Sequence, residues 1–111
     1  KGVILKKPLS DCPVETTLQL IGDKWKILII RDLLDGTKRF NELKKSLTGI
    51  TQKVLTSKLR DMEDSGLLTR KIYPEVPPKV EYSLTNLGSS LFPILENLAA
   101  WGDEYKKAYS N

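Results

Sequence analysis

Six amide, hydroxyl and cationic side chains stand close together in the middle of the chain: Thr51, Gln52, Lys53, Thr56, Ser57 and Arg60. The last four recur at helical spacing, so a helix would carry them on one face, with Leu55, Leu59 and Met62 on another. Such side chains hydrogen-bond to the base edges and phosphates of duplex DNA. The pattern indicates DNA recognition, although an ordinary amphipathic helix also has a polar outer face.

Positive charge is concentrated around this helix. Residues 24–60 contain ten lysines and arginines, Arg39 among them, against three acids, which gives a local charge of +7 in a chain of net charge +4. A basic segment between neutral or acidic flanks is typical of a surface that binds a polyanion.

The 111-residue chain has no histidine and one cysteine, Cys12. It therefore lacks the commonest general base and zinc ligand, and it cannot form an intramolecular disulfide. A thiol-dependent enzyme built on Cys12 would have neither a histidine base nor a resolving thiol. We expect no enzyme, no catalytic residue, no metal site and no cofactor.

Cys12 itself stands just before Pro13, which suits the first position of a helix. A helix N-terminus favours the thiolate, but Asp11 and Glu15 oppose it. Lone cysteines are often packed as small hydrophobic residues. A sensor of oxidants or electrophiles and a packed thiol are both open at this point.

No apolar run approaches the length that crosses a bilayer. The apolar residues 3–5, between Lys1 and Lys7, are too few for the core of a signal peptide. We expect a cytoplasmic protein with no membrane partner.

The elements before the basic helix are predicted from caps and periodicity. Residues 1–10 resemble a loose arm, and a first helix starts at Pro13 and stops at Gly22. Asp23 is expected to cap a second helix over residues 24–34, whose apolar residues cover more than one face and predict a buried centre.

A helix-turn-helix is predicted over about residues 41–65. Residues 37–40 form a connector or a stub of strand, and Asn41 is expected to cap a short third helix. A turn containing Gly49 follows, and Thr51 caps the fourth helix.

The period then changes from helical to two, which predicts strands over residues 67–73 and 80–84. The loop between them contains three prolines and should be stiff. A hairpin directly after a recognition helix is a wing, in which Arg70 and Lys79 supply positive charge and Glu75 is unfavourable beside phosphate.

A last long helix is predicted over about residues 85–107, capped by Thr85 and kinked or split by Pro93. It is too apolar for a lone surface helix, so it and the first helix are expected to form a homodimer interface. The interface residues are Val14, Leu18, Leu91, Leu95, Leu98 and Trp101. Trp25 and Trp101 are interpreted as core or interface anchors rather than as walls of a ligand pocket.

Several short motifs carry a family resemblance in their joint order: Cys12-Pro13-Val14, Gly22-Asp23-Lys24-Trp25, Arg39-Phe40-Asn41-Glu42-Leu43, residues 49–56, residues 59–63, Gly66-Leu67 and residues 80–85. The sequence resembles the HxlR-type winged-helix transcriptional regulators, which are relatives of the MarR-type regulators. The resemblance implies operator binding as a dimer. It also implies that a cysteine at the place of Cys12 can sense oxidants or electrophiles.

The expected fold is mainly α with a small β-hairpin, a winged helix-turn-helix with flanking dimerisation helices. An arm over residues 1–10 precedes a single domain over residues 11–111, with the wing at about residues 67–84. The expected function is sequence-specific binding of double-stranded operator DNA by a homodimer, with a small oxidant or electrophile as effector if Cys12 is a sensor. The alternative is a winged-helix module that binds proteins, but its fourth helix should then be apolar or acidic outside.

Overall fold

The computed structural model describes residues 2–109. Lys1, at the start of the predicted arm, and residues 110–111, at the end of the predicted domain, lie outside the described residues. The order of elements is α1 (Pro13–Ile21), α2 (Lys24–Leu34), β1 (Lys38–Arg39), α3 (Phe40–Ser46), α4 (Gln52–Asp64), β2 (Leu68–Tyr73), β3 (Lys79–Leu84), α5 (Asn86–Ser89) and α6 (Phe92–Tyr109). The chain is mainly helical with a small antiparallel sheet, as the sequence predicts.

Side-chain caps fix the starts of the two central helices. Asp23 Oδ1 accepts hydrogen bonds from the backbone N–H groups of Trp25 and Lys26, at 2.7 and 3.3 Å. Thr51 Oγ1 accepts one from Val54, at 3.1 Å. All three bonds satisfy backbone donors that the first turn of a helix leaves without partners. The predicted caps of α2 and α4 are confirmed.

The predicted start of the third helix is wrong by two residues. The N-cap is Arg39 rather than Asn41, and α3 begins at Phe40. The Glu42 carboxylate accepts the backbone N–H of Arg39 at 2.8 Å, and this bond anchors the chain earlier than an Asn41 cap would. Asn41 consequently lies inside the first turn.

The sheet has three strands in the order β1-β3-β2. The hairpin of β2 and β3 pairs Leu68 with Leu84 at its base and Tyr73 with Lys79 at its tip. Lys79, which the sequence placed in the loop, is therefore the first residue of β3. The stub at Lys38–Arg39 pairs with β3 and attaches the connector before α3 to the wing.

The core lies between α2, α4 and the sheet. Ile29 and Ile30 of α2 are fully buried, as the many-sided apolar pattern predicts. The predicted stripe of α4 is also buried. The remaining buried hydrophobic residues are Ile21, Leu33, Leu43, Leu47, Ile50, Leu67, Leu68 and Tyr82. This core holds the inner side of α4 and leaves its outer side free.

The predicted last helix is split into α5 and α6. Thr85 caps the short α5, with its Oγ1 accepting from Gly88 N–H at 3.0 Å. The break comes just before Pro93, which takes a place in the first turn of α6, where its missing N–H costs little. No helix within residues 2–109 is long and apolar enough to cross a membrane.

The predicted loose arm is instead bound to the rest of the chain over its described residues 2–10. Ile4 N–H donates to the carbonyl of Asp64 at the end of α4, at 2.6 Å. The Gln19 amide on α1 donates to the carbonyl of Pro8, at 3.1 Å. The sequence predicted a loose arm because the composition of residues 1–10 does not indicate these contacts with α4 and α1.

Candidate nucleic-acid interface

The outer face of α4 is presented by the turn that precedes it. Leu47 and Ile50 are buried on either side of Gly49, so the turn is anchored to the core. Gly49 has a φ of +92°, which an L side chain rarely adopts. The hydrogen bond from Val54 N–H to Thr51 then starts the helix at a fixed position.

The structure brings the predicted recognition residues together on α4. Gln52, Lys53, Ser57 and Arg60 are exposed, and Thr56 is half-buried beside them. Thr51 is exposed at the cap. Within residues 2–109, no ion pair forms at Lys53 or Arg60, so both cations are available to an outside anion. This face combines hydrogen-bonding side chains with free positive charge.

A third cation of α4 has a structural contact instead. Lys58 Nζ lies 2.5 Å from Asp23 Oδ2, which ties α4 to the start of α2. Burial pushes the pKa of Asp23 upward, but the hydrogen bonds from Lys58 and two backbone N–H groups outweigh it and leave this pKa below its ordinary value. The pair therefore holds α4 in place.

The acid next to Arg60 is neutralised within the chain. A hydrogen bond from Lys6 lowers the pKa of Asp61 below its usual range, against the opposing effect of burial. Lys26 adds a second cation, with its Nζ 3.8 Å from Asp61 Oδ2. Asp61 thus takes less away from the positive potential of α4 than its charge suggests.

Other cations flank α4. Arg39 is exposed at the start of α3, and Lys44 and Lys45 are exposed in its last turn. The sequence did not lead us to expect these two lysines as DNA contacts, although they lie inside the basic segment. Their position in the helix just before the turn could have indicated them.

The wing offers less free charge than predicted. Lys79 Nζ lies 3.8 Å from Glu75 and 4.0 Å from Glu81, and 4.3 Å from the centre of the Tyr73 ring. Arg70 pairs with Glu63 on α4 at 3.5 Å. Neither expected wing cation is free, because Lys79 is paired with acids of the same hairpin and Arg70 is paired with an acid of α4.

Lys71 is the wing cation that the sequence argument missed. It is exposed on β2, with its Nζ 4.9 Å from the centre of the Tyr73 ring. Lys71 makes no ion pair among the described residues. The alternation of side chains along a strand could have indicated Lys71, since it must lie on the opposite face of β2 from Arg70.

Cys12 is exposed at the N-cap position of α1, and its side chain makes no capping hydrogen bond. The backbone N–H of Cys12 donates to Ser10 Oγ at 3.0 Å. A thiol packed inside this chain is therefore the wrong interpretation. Packing against a second chain and reaction with an effector are both compatible with its position.

The predicted dimer residues form two groups. Val14 and Leu18 of α1 and Leu98 and Trp101 of α6 are 67%, 58%, 49% and 70% exposed. Leu91 and Leu95 are half-buried against the chain's own core. Trp101 stacks on Tyr105, with ring centres 5.5 Å apart, and Tyr109 continues the row. The two tyrosines were missed, although they follow Trp101 at intervals of four residues.

Comparison with known proteins decides the family. A profile of the HxlR-like helix-turn-helix family matches residues 20–110. The chain belongs to the HxlR-like helix-turn-helix family. The HTH-type transcriptional regulator YdeP of Bacillus subtilis (strain 168) is 52% identical over 95 residues, which cover 86% of this chain and 74% of YdeP.

Solved structures support the same assignment. The redox regulator HypR in its oxidized form is 48% identical, with a TM-score of 0.80, over 84% of this chain and 96% of HypR. Diamide-treated YodB from B. subtilis is 38% identical, with a TM-score of 0.70, over 85% of this chain and 94% of YodB. This HxlR-like chain is a winged-helix transcriptional regulator and not an enzyme.

Proposed function

We propose that this HxlR-like regulator binds a specific operator in double-stranded DNA, with α4 in the major groove. The observation that carries the proposal is the outer face of α4, where Lys53 and Arg60 are exposed without an ion pair in the described part of the chain. Arg60 and Gln52 can pair with base edges, while Lys53 and the hydroxyls of Thr56 and Ser57 suit phosphates.

The wing and the flanking helices have supporting parts in this proposal. Lys71, rather than Lys79, is the wing cation best placed for the DNA backbone, because its charge is not taken up by a neighbouring acid in residues 2–109. Arg39, at the start of α3, is proposed as a phosphate contact. A regulator of this kind acts where the DNA is, so we expect the chain in the cytoplasm.

We propose a homodimer held by α1 and α6. Val14, Leu18 and Trp101 are more than half exposed in the single chain and Leu98 is 49% exposed, so both helices leave large apolar side chains uncovered. Leu91 and Leu95 pack inward and hold α6 on the core, so the contact would rest on Val14, Leu18, Leu98 and Trp101 with Tyr105. A two-fold dimer presents two copies of α4 to two half-sites.

We further propose that oxidation or alkylation of Cys12 changes operator affinity. The thiol is exposed at a helix start next to the proposed dimer helices. Two similar proteins of solved structure support this proposal. HypR is a redox regulator, and YodB was solved after treatment with diamide. An intersubunit Cys12–Cys12 disulfide needs Cα atoms within about 7 Å across the dimer axis; otherwise the product is a mixed disulfide or an adduct.

The test of DNA binding is a titration of the DNA upstream of the protein's own gene against a random duplex of equal length. The proposal expects tighter binding to the upstream DNA at physiological salt and a steep fall of affinity with salt, since several phosphates are neutralised. Equal affinity for both duplexes would refute it. The winged-helix protein-interaction module would then be the remaining candidate, although the basic face of α4 differs from the apolar or acidic face expected of it.

A further inference from the structure

The arm over residues 2–10 contacts two helices that take different parts in the proposed function. At its first end, Ile4 N–H donates to the Asp64 carbonyl at 2.6 Å, and Lys6 Nζ donates to Asp61 Oδ1 at 2.8 Å. Both partners lie in the last turn of α4. The arm therefore holds the end of the helix whose outer face carries Arg60.

The second end of the arm is held by α1. The Gln19 side chain accepts from Ser10 N–H at 2.9 Å and donates to the Pro8 carbonyl at 3.1 Å. Thr16 Oγ1 donates to the Ser10 carbonyl at 3.0 Å. The Gln19 amide thus both donates to and accepts from the backbone of the arm, and the two hydrogen bonds fix the direction of the chain there.

We propose that residues 2–10 act as a strap that sets the position of α4 relative to α1. The two helices each pack on α2, and the arm bonds to both of them. A segment held at both ends restricts the angle between the helices that it joins. This inference rests on the proposed function, because α1 belongs to the proposed dimer interface and α4 to the proposed DNA face.

The strap is held by contacts that can open. The Lys6 side chain is 71% exposed, and ion pairs at such positions contribute little to stability. An open groove of about 380 Å³ lies along the arm, with Ile4, Leu5 and Leu9 in its wall. These three side chains are 55%, 45% and 46% exposed, so the apolar side of the arm is only partly engaged. Bound and released arms should therefore be close in free energy.

Release of the arm would change the DNA face in two ways. The end of α4 would lose a backbone hydrogen bond at Asp64, and the helix could tilt against the dimer frame. Asp61 would also lose the hydrogen bond from Lys6 and keep only Lys26, 3.8 Å away, so its negative charge would oppose that of Arg60 more strongly. Both changes weaken binding to two half-sites at a fixed spacing.

The test cuts the strap at each end and uses a neighbouring lysine as control. Lys6→Met removes the side-chain contact to α4 and leaves the backbone hydrogen bond from Ile4 to Asp64. Lys7→Met removes the same charge one residue away, where no hydrogen bond or ion pair is made among the described residues. Gln19→Leu removes both Gln19 hydrogen bonds at the other end without a change of charge and leaves the bond from Thr16 to Ser10. Lys6→Arg retains the cation.

We expect Lys6→Met and Gln19→Leu to weaken operator binding by roughly two- to fivefold, because a largely exposed contact shifts the position of the arm by no more than about that factor. Lys7→Met and Lys6→Arg should bind like the parent. The double variant Lys6→Met/Gln19→Leu should lose less than the sum of the two single variants, because the strap acts only while both of its ends hold. Hydrogen exchange at Ile4 and in the last turn of α4 should become faster in the two cut variants.

Equal losses in Lys6→Met and Lys7→Met would overturn the strap, since charge alone would then explain them. Additive losses in the double variant would also overturn it. If the parent itself did not prefer the operator, the proposed function would fail, and hydrogen exchange would decide the strap. Faster exchange in α4 on Lys6→Met but not on Lys7→Met would then support it, and equal exchange would refute it.

Discussion

Asp23 stabilises the start of α2 and connects it to α4, so its removal should lower stability by a predictable amount. Its Oδ1 caps two backbone N–H groups, a contribution of about 1 kcal/mol. Its Oδ2 pairs with Lys58, and both side chains are partly exposed, so that solvent reduces this pair to at most about 1 kcal/mol. Asp23→Ala should therefore lower the free energy of unfolding by about 1.5–2 kcal/mol.

Thermal and urea unfolding measure this loss. The expected fall in Tm is about 10 °C, at about 4–8 °C per kcal/mol for a domain near this size. Asp23→Asn is the matched control, because asparagine caps nearly as well as aspartate and only the ion pair is lost. It should resemble Lys58→Met, with a loss of at most about 1 kcal/mol. If Asp23→Asn lost as much as Asp23→Ala, the cap would have no share in the stability, and the reasoning would be refuted.

Three further predictions test the other parts of the structure. The pKa of Asp23 and that of Asp61 are lowered in the folded chain, so their stabilisation is present at neutral pH and should be lost as pH falls below about 5; urea midpoints that stay constant down to pH 3 would contradict this. Leu98→Glu should give a monomer in sedimentation at micromolar concentration, and a parent that is already monomeric would refute the dimer. Diamide should change operator binding of the parent and not of Cys12→Ser, whereas equal effects on both would exclude a role for the thiol.

The sequence predicts the parts of the fold that depend on neighbours along the chain. The cap at Thr51 and the buried stripe of Leu55, Leu59 and Met62 follow from helical spacing, and the structure has both. The wing follows from a change of period, and it is present as β2 and β3. In these elements the local conformational preferences agree with the packing of the core, so the periodicity of the sequence is sufficient to predict them.

Contacts between distant residues were not predicted. Lys6 and Asp61 are 55 residues apart, and nothing in the composition of the arm indicates that they meet. The pairing of Lys38–Arg39 with β3 rests on two residues, too few for an alternating pattern. Lys79 was expected to be free. Its ion pair with Glu75 forms because the loop folds back, and the sequence does not show the path of the loop. Charge in a sequence shows what a surface can bind, but only the fold shows which charges are already paired.

The central claim is that the outer face of α4 reads DNA, and Arg60→Ala tests it most directly. Binding to the operator and to a random duplex should be titrated for the parent, for Arg60→Ala and for Lys106→Ala, which removes an exposed cation on α6. A lost base contact of about 1–3 kcal/mol should weaken operator binding roughly 5- to 150-fold in Arg60→Ala, with little change in random binding or in Tm. Unchanged operator binding, or equal losses on both duplexes, would contradict the account.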